Sequence, residues 1–466
     1  MAHPSVVELM KLAGLPDSAS EAAEITGDDP VFKTRYRVAI PGAAAIAAAG
    51  IAVSELWALK TGRRQQVRVD ARAAAAALRS TRYLKINGQP PPPPRDPFTG
   101  FYRLKDGRWI YLHCNFPNLR DQNLRVLGSP ADRDSVSREV EKWDGLALED
   151  AIFGNGGCCA LVRSEEEWNA MPQSAAAGSV PLLEIVRIGD APPEPLPAGG
   201  RPLSGIRVLD LTRVLAGPAC AKCFAEHGAD VMKISRKDLP DSGMFDIDTG
   251  LGKLSAFLDL RDPGQMETLR SLIRSGDVFS QAYRPNSLAA RGLSPEALAE
   301  MRPGIVYITL SAWGHVGPWQ NRRGYDTVVQ SANGMAWRPG GELPVFTPVA
   351  AQDYVAGYLM AYGAMAALAR RAREGGSWMV RVSLAGTGLW IRKHGLLEPS
   401  VFGNAPDELP AEELRSLMME SESPLGLLSH LAPVARMSET PARLVRPAVP
   451  LGSSPPVWPE RGQAGK

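Results

Sequence analysis

"LSGIRVLDLTRVLAGPACAKCFAEHGADVMKI", residues 203–234, decides the fold. IRVLDL is a short apolar run rich in β-branched residues and predicts a buried strand. GPACAKCFAEHG carries helix-forming residues and stops at Gly228, and ADVMKI is a second buried strand. Strand, helix and strand make a βαβ unit, the building block of a parallel sheet covered on both faces. The alternation continues with a helix around 264–275, DVFS as a strand, a helix around 294–301 and IVYITL as a strand. The fold class is therefore α/β, a Rossmann-like, mostly parallel sheet.

Upstream the text differs. APPEPLPAGGRP, residues 191–202, is the clearest linker in the chain. Before it, FTGFYRLKDGRWIYLHC predicts a hairpin turning at Lys105-Asp106-Gly107, and a polar helical stretch follows to about Met171. VPLLEIVRIGD predicts a closing strand. These elements predict a second, smaller α+β domain. Pro90 to Pro94 favour a stiff extended segment, and residues 1–37 read as a helical lead-in.

The chain has 466 residues and a formal charge of +2, so no global field favours nucleic acid or an anionic membrane. Val38 to Ser54 is the longest apolar run. It is shorter than a typical span of about 20 residues, its alanines carry little transfer energy, and Glu55 follows at once, so a buried helix is expected rather than a membrane anchor. Five cysteines without regular spacing, and no secretory leader, predict a reducing cytoplasm. Cys220 and Cys223 form a lone CxxC inside a helix and read as buried, inert thiols; no metal site is expected.

One internal repeat stands out. REGGSWMVRVSLAGTGLW, from Arg373, repeats the layout of KTGRRQQVRVDARAAAAAL, from Lys60, each after a helix of small residues. Aligning Val67 with Val380 sets an offset of 313 and puts Asp353 opposite Ile40. An aspartate that opens a helix is by default an N-cap, worth about 1 kcal/mol. A partly desolvated carboxylate can equally be a covalent nucleophile, and Ala356 and Gly357 would leave room for a substrate.

The first βα loop, TRVLAGPAC, lacks GxGxxG, so a dinucleotide fingerprint is absent. Arg236 and Arg284 follow two strands at the carboxyl edge, where α/β sheets bind ligands, and together suit an anion. His315 lies in a loop after IVYITL and could be a base or merely exposed. Asp326 is most simply another cap.

Taken together, the 203–234 unit, "DVFSQAYRPNSLAARGLSPEAL", "IVYITLSAWGHVGPW", "RRGYDTVVQSANGMA" and the Asp353 helix resemble the family III CoA-transferases, a group that includes α-methylacyl-CoA racemase. The resemblance is close over 203–395. Residues 1–190 resemble the family's later half, so the chain reads as a rearranged or fused copy: that partial half, the 191–202 linker, a CoA-binding catalytic half at 203–395 and a shortened C-terminal segment at 396–466.

The resemblance implies transfer of CoA between an acyl-CoA and a carboxylic acid through an aspartyl anhydride and an aspartyl-CoA thioester, with no permanently bound cofactor. It implies Asp353 as nucleophile; Leu215, Ala216, Arg236, Leu258, Asp259, Leu260, Arg261, Tyr283 and Arg284 as CoA contacts; and Tyr325 near the thioester. Where the racemases carry a histidine this chain has Tyr325. An arginine usual in the family is Ala290 here, with Arg291 one place on. A shielding loop would fall near NGQPPPPPRDP or Phe402-Gly403-Asn404. The resemblance further implies an interlocked dimer, either a homodimer or a heteromer with a related chain. Two other readings stay open: a non-catalytic CoA-ester-binding subunit, and an acyl-CoA epimerase.

Overall fold

A computed structural model describes residues 3–92, 96–284 and 287–461. Before the 191–202 segment lie β1 (Ala23–Thr26), β2 (Val67–Asp70), β3 (Lys85–Ile86), β4 (Gly100–Arg103), β5 (Trp109–Leu112), β6 (Cys159–Leu161) and β7 (Glu184–Gly189). After it come β8 (Arg207–Asp210), β9 (Asp230–Ser235), β10 (Lys253–Phe257), β11 (Val278–Gln281), β12 (Val306–Ser311), β13 (Ser377–Ser383), β14 (Met418–Ser423), β15 (Gly426–Leu431) and β16 (Arg436–Met437).

The main sheet runs β10-β9-β8-β11-β12-β13-β7. All neighbours are parallel except β7, which closes the edge antiparallel to β13. Chain order reverses between β8 and β11, so the loops leaving those two strands diverge and open a crevice at the carboxyl edge. The expected smaller α+β unit is present as β4-β5-β6 with the helices Pro117–Leu127, Arg133–Val140 and Gly145–Gly154, packed around Ile110, Val136, Leu148 and Ile152. The predicted hairpin is β4–β5, turning at Gly107 with φ 79°.

Two strands differ from expectation. β6 lies inside the stretch read as helical, and β1 inside the stretch read as a helical lead-in. β1 alternates over only four residues and β6 is a three-residue apolar run, both too short to announce a strand; β6 is built by pairing with β5 and β1 by pairing with β2. The 191–202 linker is a strap. Gly376 N–H donates to the Ala191 carbonyl at 2.9 Å, Glu194 pairs with Arg302 at 2.7 Å, and the Arg201 guanidinium donates to the Arg443 carbonyl at 3.0 Å. Of the proline run, residues 93–95 lie outside the described residues.

The internal repeat is structural as well as textual. The helices Ala39–Thr61 and Ala351–Glu374 pack directly against each other. They end at Gly62 and Gly375, an offset of 313, with φ 77° and 73°. Asp70 and Ser383, also 313 apart, cap the helices that follow β2 and β13. The small sheet β1-β2-β16 repeats the edge β12-β13-β7: in each a parallel neighbour stands on one side of the VRV strand and an antiparallel closing strand on the other.

The closing strands are exchanged. β7, from the first half, completes the sheet of the second, and β16, from the C-terminal tail, completes the sheet of the first. Two related halves of one chain thus exchange their edge strands. Their core is the pair of small-residue helices, and Ala39–Thr61, long and apolar enough to cross a membrane, is buried in protein from Ala39 to Trp57.

The first helix starts in the interior, where its free N–H groups need acceptors. Asp29 supplies them: Oδ1 accepts from Val38 N at 3.0 Å and Ala39 N at 2.9 Å, and Oδ2 from Ile40 N at 3.0 Å. Asp29→Ala should lower unfolding free energy by about 2 kcal/mol, whereas Asp29→Asn, which keeps one acceptor oxygen, should cost less; chemical denaturation of the two variants checks this.

Candidate active site

Asp353 is not an N-cap. The helix begins at Ala351 with Ala350 as its cap residue, and Asp353 is its third residue. Its backbone N–H donates to Asp326 Oδ2 at 3.0 Å. Asp326 opens the helix Asp326–Ala332, whose cap residue is Tyr325, so it does not cap its own helix either. Gln330 Nε2 donates to its other oxygen, and Gln352, whose Oε1 accepts from Asn333 at 2.8 Å, approaches it as well.

The first copy repeats this arrangement, because Asp29 accepts from Ile40, the residue opposite Asp353. In both copies an acid from outside serves the helix start. The Asp353 carboxylate is thereby left free, and among the described residues it has no hydrogen-bond or ion-pair partner.

That carboxylate lines a cavity of about 310 Å³ with Leu215, Ala216, Tyr283, Arg284, Tyr325 and the Leu310–Ala312 strand end. The cavity lies in the crevice between the loops that follow β8 and β11, as the sheet order requires. A larger groove of about 930 Å³ adjoins it, lined by Arg236, Leu258, Leu260 and Arg261 together with Arg213, Arg291 and Arg323. Phe116, Leu211, Arg213, Tyr283, Ser287, Arg323 and Tyr325 line both, so the two spaces are continuous. Every residue implied by the family resemblance is brought to this pair of spaces except Asp259. That carboxylate instead turns onto Arg261 at 2.6 Å and fixes its guanidinium. Arg291 does reach the groove, where its Nη1 lies 3.4 Å from the Leu260 carbonyl.

Ala356 and Gly357 do not make substrate room. Ala356 is fully buried, and a Cβ on Gly357 would lie 2.6 Å from the Ala216 carbonyl oxygen. The gap lets the helix Ala216–Glu226 approach and brings Leu215 and Ala216 to the same cavity as Asp353.

Electrostatics distinguish the two spaces. In the groove Asp238 pairs with Arg236 and, at 3.3 Å, with Arg261, leaving Arg213, Lys237, Arg291 and Arg323 as surplus positive charge. Arg284 is held below its ordinary pKa chiefly by Arg323, two guanidiniums facing each other across the inner cavity. Burial, and secondarily the Asp326 carboxylate, push the Asp353 carboxyl well above the usual range. Burial also raises Asp326 and Tyr325.

Several lining residues escaped sequence reasoning. Phe116 reaches the site from the N-terminal half; Arg213 stands 5.1 Å over its ring, and the His113 ring stacks on Tyr325 with centroids 4.0 Å apart. No local signal marks Phe116, since it lines the cavity from the other half of the chain. Arg213, in the first βα loop, could have been found from its place at the strand end. His315 lies outside the Asp353 cavity, 3.3 Å from Glu184. Phe402-Gly403-Asn404 does not line either space, and the wall at that side is Phe116 with Pro117 and Asn118. All five cysteines are buried, Cys220 and Cys223 included.

Residues 203–421 match the profile of CoA-transferase family III. Over this region, a little under half of its length, the chain is similar to that family. Among curated proteins, acetyl-coenzyme A transferase nodX of Hypoxylon pulicicidum is 28% identical over 319 residues, 63% of this chain and 54% of that protein. Human succinyl-CoA:glutarate CoA-transferase is 34% identical over 190 residues, 38% of this chain and 43% of that protein. The chain spans about half the length of the curated relatives it matches. A crystal structure of a hypothetical Mycobacterium tuberculosis protein (Rv3272) superposes with a TM-score of 0.39 at 29% identity, covering 42% of this chain and 58% of that one. The family III match begins at the strap's end and contains the crevice, the arginine groove and the Asp353 helix.

Because the Ala216 carbonyl is backbone and cannot yield, Gly357→Ala should cost about 1–3 kcal/mol by pushing two buried helices apart. Urea unfolding monitored by tryptophan fluorescence measures it, and an unchanged midpoint would show that the contact is slack.

Proposed function

We propose that this chain moves CoA between an acyl-CoA thioester and a carboxylic acid, with Asp353 as the nucleophile. The observation that carries the reading is the free Asp353 carboxylate, facing a cavity that opens onto a groove lined with arginines.

The groove suits the CoA phosphates, where guanidiniums form paired, charge-assisted hydrogen bonds. The thioester then reaches the inner cavity. An Asp353 oxygen attacks its carbonyl carbon, the C–S bond breaks, and CoA leaves as thiolate from a mixed anhydride. The thiolate attacks the aspartyl carbonyl of that anhydride, releasing the first acid as carboxylate and forming an aspartyl-CoA thioester. An incoming carboxylate attacks this thioester and the thiolate leaves again. It finally attacks the new acyl carbonyl, giving the new acyl-CoA and regenerating Asp353. Each covalent intermediate would be lost to water, so the apolar wall of Phe116 and the stacked His113 and Tyr325 rings has a chemical task.

The epimerase reading needs a second base, and His113, stacked on Tyr325, is not among the residues lining the cavity. His315 faces Glu184 outside the cavity, and burial keeps the Tyr325 phenol protonated. A non-catalytic subunit draws on the rearranged order and on Ile40 in the first copy; the free Asp353 carboxylate in the second copy favours the transfer reading.

Three measurements test the proposal. Asp353→Asn should lower acyl-CoA:acid exchange by about 1,000-fold or more, and hydroxylamine should trap a hydroxamate on wild-type Asp353 only during turnover; full exchange by the variant would end the proposal. The nucleophile must be ionised and its pKa is raised, so kcat/KM should climb with pH through a limb above the ordinary carboxylate range. Asp326→Asn removes a neighbouring charge and should move that limb to lower pH.

The same shift affects stability. A carboxyl whose folded pKa is raised binds more protons folded than unfolded, so it costs stability as pH rises above about 4, its unfolded value. Asp353→Asn should therefore melt higher than wild type near pH 7, and the difference should vanish near pH 4.

A further inference from the structure

A second cavity, of about 250 Å³, lies at the carboxyl ends of β11, β12 and β13. Its walls include Gln281, Thr309 and Arg381, on the sheet face that also carries Phe279, Tyr307 and Met379. The opposite face, with Ile308 and Val380, packs on the Asp353 helix. At the strand ends the two faces meet, and Tyr283, Arg284, Leu310 and Ser311 line both this cavity and that of Asp353.

Arg381 is half-buried and takes part in no hydrogen bond or ion pair among the described residues. A half-buried guanidinium with no protein acceptor keeps its fork of N–H donors for a group that enters the cavity. The repeat supplies a direct comparison. In the first copy the equivalent Arg68 pairs with Glu24 on the neighbouring strand at 2.9 Å. In the second copy the residue at Glu24's register position is Thr309, which instead accepts from Gln281 Nε2 at 2.7 Å. The arginine is kept and its acid is gone.

The other charges around this cavity are few. Glu184 stands across from Arg381 on β7 but turns to His315 Nδ1 at 3.3 Å. His315 is depressed by burial, against the pull of Glu184, and is neutral near pH 7. Arg284 adds a second guanidinium at the shared boundary. Two arginines against one carboxylate leave a net positive cavity.

We propose that Arg381 anchors a carboxylate-binding subsite beside the Asp353 cavity, and that it holds the far carboxylate of a short dicarboxylic acid whose near carboxylate is exchanged. The subsite's use in turnover rests on the CoA-transfer reading; its binding chemistry does not. A guanidinium gripping one carboxylate in a paired geometry would favour acids with a second negative end over monoacids of equal length.

The test is calorimetric titration of glutarate, succinate and butyrate into the full chain. Wild type should bind the diacids at least about tenfold more tightly than butyrate. Arg381→Gln should abolish that preference. Thr309→Glu, which rebuilds the pairing of the first copy while keeping the arginine, should abolish it too and serves if the first variant does not fold. Asp353→Asn should retain the preference. Diacid binding unchanged in both Arg381→Gln and Thr309→Glu, or no preference in wild type, would overturn the subsite. Diacid binding that depends on Arg381 in a protein without CoA exchange would uphold the subsite while refuting the transfer reading.

Discussion

The hydrogen bond from the Asp353 backbone to the Asp326 carboxylate is the constraint on which the site depends. A helix that begins in the interior must find acceptors for its first N–H groups, and the usual solution is a side chain at the cap position. Here the acceptor comes from another helix. The residue at the third helical position is then free to carry any side chain, and in this copy it carries a carboxylate with an open cavity in front of it. The same bond holds two acids close together where water is scarce. Burial first, and then the Asp326 charge, disfavour ionisation of Asp353, so its carboxylate is more basic than an exposed one.

Small residues carry this geometry into the rest of the molecule. Gly357 lets the Ala216–Glu226 helix approach within backbone contact, so the loop after β8 and the head of the Asp353 helix share one wall. Gly363 and Gly50, again 313 apart, let Val380 and Val67 pack against the two long helices at equivalent depths. With the exchanged strands β7 and β16, these contacts make the halves interdependent. Phe116, from the first half, lines the Asp353 cavity of the second.

Much of this was legible in the sequence because it is local. The βαβ stretch at 203–234, the strand DVFS and the hairpin at Gly107 each carry their own periodicity and turn signals, and the placement of Arg236 and Arg284 follows once strand ends are known. What stayed hidden was non-local. β1 and β6 exist through pairing, the 191–202 segment looks like a tether until Glu194 and Arg201 find distant partners, and Asp326 reads as a cap because its real acceptor role lies 27 residues away. Asp259 shows the limit of transferring a motif: its position matches, but its side chain serves Arg261 rather than the groove.

The repeat also explains why the first copy has Ile40. With Asp29 already serving the helix start, the side chain at that position has no structural duty in either copy. A carboxylate there, in an interior where Ile40 is 6% exposed, would bring the cost of desolvating a charge. An apolar residue removes that cost and adds packing. Asp353 occupies the position where the same cost is retained, and retention of a destabilising group beside a cavity and a positive groove is the pattern expected where stability yields to chemistry. The two copies thus form an internal comparison: one scaffold, one capping device, and an acid only in the copy whose helix head lines the cavity.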